Sequence, residues 1–66
     1  MSVARITEIS SSSKKDFQDA IDNAIERAND TLAHLEGAWV QDMKVTVKDG
    51  KVDEYRVNLK VTFVLR

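Results

Sequence analysis

The chain has no cysteine and no proline, and only two glycines, one histidine and one tryptophan among its 66 residues. Without cysteine there can be no disulfide framework, and without a Cys/His cluster a structural zinc site is not expected to stabilise so short a chain. No run approaches the ~18 consecutive apolar residues of a membrane span, and no charged, apolar, small-residue leader precedes the rest. The cytoplasm is therefore the expected compartment, with no membrane partner. Charges nearly cancel, 10 basic against 11 acidic for a net −1, and they are mixed along the chain. That mixture provides no basic stripe for nucleic acid. The length suits one domain, residues 1–66. A domain of this size buries only about 60% of its unfolded surface and is marginal alone, which leaves oligomerisation as the ordinary remedy.

What the chain does contain is strongest at its end. From Tyr55 to Leu65 the odd positions are Tyr55, Val57, Leu59, Val61, Phe63 and Leu65, with Arg56, Asn58, Lys60 and Thr62 between them. This is the period of a half-buried strand. From Trp39 to Val47 the odd positions Trp39, Met43, Val45 and Val47 repeat the pattern, interrupted by Gln41. Between the runs, Asp49-Gly50 suits a two-residue type I′ turn, but that register sets odd residues against even ones. A three-residue loop, Lys48-Asp49-Gly50 with Gly50 left-handed in a bulge, pairs Val47 with Lys51 and brings both apolar faces together. It also predicts the charge pairs Asp42–Arg56 and Lys44–Glu54 across the strands.

Earlier in the chain, Val3 to Ile9 is rich in β-branched residues and reads as a strand. Ser10 to Ser13 reads as a polar connector, with Ser13 as a helix N-cap and Asp16 three residues on. It holds neither glycine nor proline, which argues against a phosphate-cradling loop. Phe17, Ala20, Ile21, Ala24, Ile25, Ala28, Leu32 and Leu35 then recur at spacings of three and four, predicting an amphipathic helix that Gly37 stops. The order strand, helix, strand, strand gives an α+β fold, β-α-β-β, in which the helix covers the odd face of an antiparallel sheet. The even face, with Asp42, Lys44, Glu54, Arg56, Asn58 and Lys60, has no cover from this chain.

Candidate sites are few. Trp39 offers a broad π surface, although a place on the odd face makes core or subunit contact the plainer expectation. His34 suits the helix C-terminus better than a metal. Asp42, Asp49, Asp53 and Glu54 have oxygens for a hard cation, but their spacing is not that of an EF-hand. Nothing supplies a nucleophile beside a base, so no catalytic residue is expected and the protein is not expected to be an enzyme.

Taken together, Ser11-Ser12-Ser13-Lys14-Lys15-Asp16-Phe17, Ala20-Ile21-Asp22-Asn23-Ala24-Ile25-Glu26-Arg27-Ala28, the first strand through Arg5-Ile6-Thr7-Glu8-Ile9, and Tyr55-Arg56-Val57-Asn58-Leu59-Lys60-Val61-Thr62-Phe63 resemble the dodecins, small flavin-binding proteins. The resemblance implies a three-stranded antiparallel sheet wrapped part-way around one long helix, and twelve copies in a hollow sphere. It further implies flavin (riboflavin or FMN) stacked between tryptophans and held without catalysis. Two departures fall at the implied cofactor-binding residues. Gly37 stands where the family has its stacking tryptophan, and Trp39 lies two residues on, on the same strand face about 7 Å away. Arg56 replaces the flavin-contacting glutamine, and an arginine donates hydrogen bonds but accepts none. The expected function is a homododecameric cage that sequesters a planar small molecule, with flavin the first expectation. The alternative is a flavin-free cage that binds metal ions or anions, or that serves as a scaffold.

Overall fold

The computed structural model describes residues 3–31 and 35–65. Strand β1 (Val3–Ser13) leads to helix α1 (Phe17–Thr31), followed by β2 (Leu35–Lys48) and β3 (Lys51–Leu65). The three strands form one antiparallel sheet in the order β1-β3-β2, which puts the most regularly alternating strand in the centre. Its odd residues Val57, Leu59, Val61 and Phe63 are buried. The helix presents Ala20, Ala24 and Ala28 to that side, and such short side chains allow close approach to the sheet. Ile9, Phe17, Ile21 and Val40 pack around the cluster of Ala20, Ala24, Val57 and Leu59. Phe17 meets Tyr55 edge to face at 5.0 Å, an arrangement worth about 0.5–1.5 kcal/mol beyond its buried area. The β-α-β-β architecture is thus the expected one.

Two boundaries differ from expectation at the start of the helix. Ser10 to Ser13 continue β1 instead of forming a connector, because β3 offers them ladder partners from Asn58 to Tyr55. Ser13 is buried and is not the N-cap. Its hydroxyl accepts from the Lys15 amide at 2.9 Å and donates to Asp19 Oδ2 at 2.6 Å, closing a short turn before the helix. The cap is Asp16, whose Oδ1 accepts from the Asp19 amide at 2.7 Å while its carbonyl takes the Ala20 amide at 3.2 Å.

The helix is also shorter than the apolar stripe suggests. Leu35 already belongs to β2, where β3 extends far enough to pair it with Phe63. Gly37 is therefore no helix stop; it lies inside β2 opposite Thr62. Leu32 and His34 lie outside the described residues.

The hairpin departs from expectation in an instructive way. Asp49 and Gly50 have φ of 53° and 75°, and Lys48 pairs with Lys51, so the turn is the two-residue form and not the three-residue loop. The parity conflict this creates is resolved by β-bulges instead. Val47 pairs with Val52 but Thr46 with Glu54, leaving Asp53 as an extra residue, and from there odd again faces odd, as in Val45–Tyr55 and Met43–Val57. Gln41 is a second extra residue, on β2, between the Val40–Leu59 and Asp42–Asn58 pairs, and Glu36 is a third. Beyond Gln41 the parity of β2 is reversed. Val40 packs on the helix side, and Trp39 stands on the other face, opposite Lys60. The placement of Trp39 on the apolar face is thereby corrected.

The helix does not reach the whole apolar face. Met43, Val45, Val47 and Val52 stay exposed on the hairpin, which projects to give a body of 51 × 19 × 13 Å.

Candidate functional site

The face away from the helix is built in rows, one residue from each strand. Ser12, Arg56 and Lys44 form one row; Ser10, Asn58 and Asp42 the next; then Glu8, Lys60 and Trp39; then Ile6, Thr62 and Gly37. The second row is hydrogen-bonded across the sheet. Ser10 Oγ donates to Asn58 Oδ1 at 2.7 Å, and Asn58 Nδ2 donates to Asp42 Oδ1 at 2.8 Å. This fixes the amide of Asn58 by satisfying both its ends.

The predicted charge pairs do not form, because the two-residue turn and the Asp53 bulge each shift the register by one and together move each partner on by two. Asp42 faces Asn58, and Lys44 faces Arg56, two cations side by side. Arg56 turns along its own strand to Glu54, with Nη2 and Nε at 2.9 and 3.3 Å from Oε1. Glu54 is held in turn through its amide, which donates to Thr46 Oγ1 at 3.0 Å. Between the first two rows, a cleft of about 350 Å³ opens against Ser10, Ser12, Lys44, Arg56 and Asn58.

Trp39 is 66% exposed, the most exposed of the large apolar side chains described. Lys60 Nζ lies over its ring, 5.5 Å from the centroid. Gly37 shares its face two residues away, in ordinary extended backbone, and a Cβ placed there would meet nothing within 4 Å. A ring stacked on Trp39 thus has open space beside it. Arg56 lies on the same face but four residues along β3 from Lys60, about 13 Å at ordinary strand rise. The structure therefore puts all three sequence-predicted residues on one face, with Gly37 and Trp39 adjacent and Arg56 apart.

The sequence places Lys44, Asn58 and Lys60 on the uncovered face and reads the serines as a connector, but it marks none of them as a site residue. A signal for the bulge existed: Ala38 and Val40 are apolar at even positions, whereas Met43, Val45 and Val47 are apolar at odd ones. The parity changes at Gln41-Asp42.

Among the described residues no group of three or more His, Cys, Asp or Glu side chains is placed to hold a metal ion. Nor is any described helix long and apolar enough to cross a membrane.

An open polar sheet face with one exposed indole, backed by a single helix, defines a small ligand-binding α+β module. The family model for dodecins matches residues 3–66, and the chain belongs to the dodecin family. A T. thermophilus dodecin, in an arginine-to-alanine variant, is 33% identical with a TM-score of 0.93, over 100% of this chain and 98% of that one. The dodecin from Streptomyces davaonensis is 32% identical with a TM-score of 0.92, over 98% and 96%. The calcium dodecin of Mycobacterium tuberculosis, described as calcium-chelating with a novel calcium-binding site, is 29% identical with a TM-score of 0.83, over 97% and 91%. A comparison with curated proteins finds no match.

Proposed function

We propose that this chain is the protomer of a cytoplasmic, non-enzymatic homododecamer that binds and sequesters a planar small molecule, flavin (riboflavin or FMN) first among them, on Trp39. The observation that carries this is the exposure of the indole on the uncovered face, beside the bare position at Gly37. A large aromatic surface left in water forgoes burial worth about 1.5–3 kcal/mol in a chain that needs it, so a stacking partner is the economical explanation. Assembly is supported by the exposed hairpin residues Met43, Val45, Val47 and Val52, an apolar strip on a chain of marginal size. Gly37 leaves room for the ligand. Arg56, tied to Glu54, serves the polar periphery and not the ring. Substituting Trp39→Ala tests the claim: flavin binding should disappear while the oligomer persists in sedimentation. Equal binding by the variant would remove Trp39 from the site.

A second reading is favoured by Lys44 and Arg56. Two cations held side by side above a cleft lined with Ser10, Ser12 and Asn58 suit a phosphate or carboxylate. This makes an anion a better alternative ligand than a metal ion, since Asp42 is engaged by Asn58, Glu54 by Arg56, and Asp53 by Lys14 at 3.1 Å. Binding of inorganic phosphate that persists in Trp39→Ala and disappears in Lys44→Gln would favour the anion cage over the flavin cage.

A further inference from the structure

The row Glu8, Lys60, Trp39 crosses the sheet with a carboxylate on one side of the lysine and an indole on the other. An ammonium between the two would ordinarily be drawn to the carboxylate. Here Lys60 makes no ion pair with Glu8 among the described residues, and its Nζ lies over the Trp39 ring at 5.5 Å from the centroid. Lys60 stands on the central strand and Trp39 on an edge strand, so the ammonium approaches the indole from the inner side of the sheet. Lys60 takes one π face of the indole, and the side chain as a whole remains 66% exposed.

We propose that Lys60 is a positioning and selectivity residue for Trp39. Its ammonium holds one face of the indole, presents the other outward, and biases that surface toward ring systems carrying negative charge. This rests on Trp39 acting as a ligand surface. The attraction of a cation for an aromatic face restrains the ring without covering its outer side. A group stacked on the outer face, at an ordinary contact of about 3.5 Å, lies roughly 9 Å from the ammonium, just beyond the screening length of about 8 Å at physiological salt. At that separation and a solvent-like dielectric, a unit negative charge gains about twofold in affinity, rising to ten- or twentyfold as water is excluded. The bias falls with added salt.

Trp39 is the sole tryptophan, so its emission reads the arrangement without any ligand. The test compares collisional quenching by iodide and by caesium in wild type, Lys60→Met and Lys60→Arg, with far-UV circular dichroism to verify the fold. The iodide-to-caesium quenching ratio should fall at least twofold in Lys60→Met, recover in Lys60→Arg, and lose its difference from wild type in high salt. Emission anisotropy should drop in Lys60→Met as the ring is released. Ratios equal in wild type and Lys60→Met would overturn the assignment. In a second step, riboflavin and a riboflavin bearing a carboxylate on its benzenoid ring are titrated into the same proteins. A preference for the carboxylate in wild type, absent from Lys60→Met, supports the selectivity role. Equal preference in both overturns it. Failure of wild type to bind either flavin would instead refute stacking on Trp39, and the quenching ratios would still decide the role of Lys60.

Discussion

Deleting Asp53 should leave the protein folded, although the residue lies inside a strand of a three-stranded sheet. The pairs Val47–Val52 and Thr46–Glu54 flank it, and it has no partner of its own on β2. Its removal joins Val52 directly to Glu54 and makes the ladder uninterrupted from Lys48–Lys51 to Asp42–Asn58, with every other pairing preserved. What is lost is the extra local twist of the bulge and the ion pair with Lys14. That pair spans side chains 74% and 36% exposed and contributes at most about 1 kcal/mol. Deleting Asn58 is the contrasting perturbation. It sends Leu59, Val61 and Phe63 to the polar face, and at about 1.5–3 kcal/mol for each buried side chain the three together cost about 5–9 kcal/mol. This equals the whole stability of a small domain. Urea unfolding at one protein concentration, followed by far-UV circular dichroism, measures both. The Asp53 deletion should lie within about 1 kcal/mol of wild type and the Asn58 deletion should not fold. A loss beyond about 3 kcal/mol on deleting Asp53 would refute the view that the bulge only corrects the register of the turn.

Other perturbations test neighbouring parts of the account. Asp16→Ala removes the helix cap and should cost about 1 kcal/mol in the same urea experiment; no change would return the capping role to another residue. Leu59→Ala empties the fully buried centre of the sheet and should cost about 2–5 kcal/mol, and a smaller loss would show that the helix can settle into the space. Gly37→Trp should fold normally, since a Cβ there meets nothing within 4 Å and the backbone is extended. It should also raise flavin affinity by adding a second indole on the same face, and unchanged affinity would separate that position from the ligand.

How much of this was legible in the sequence follows from what single-strand periodicity can register. The alternation from Tyr55 to Leu65 identified the central strand, and the stripe from Phe17 to Ala28 identified the helix and its buried face. The rest depended on pairing. A β-bulge arises where two strands disagree in register, so neither strand read alone reveals which residue is extra. The conflict between the Asp49-Gly50 turn and the apolar faces was visible, but Asp53 resolves it and the loop does not. The Gln41 bulge mattered most for the site, because it moves Trp39 from the helix side to the open face and so changes it from a core residue to an exposed one. The serines were misassigned for a related reason. Their polarity suggests a connector, yet in β1 they pair with the central strand, where Ser10 orders Asn58 and the Ser13 hydroxyl closes the turn into the helix.

The central claim is that Trp39 is a ligand surface, and the most direct measurement is a riboflavin and FMN titration in which flavin and tryptophan emission are followed together. Because the protein has one indole, stacking on it must quench both signals in the same titration. The account predicts mutual, saturable quenching that approaches one flavin for each chain. Flavin and Trp39 emission that both stay unchanged at micromolar protein would contradict it.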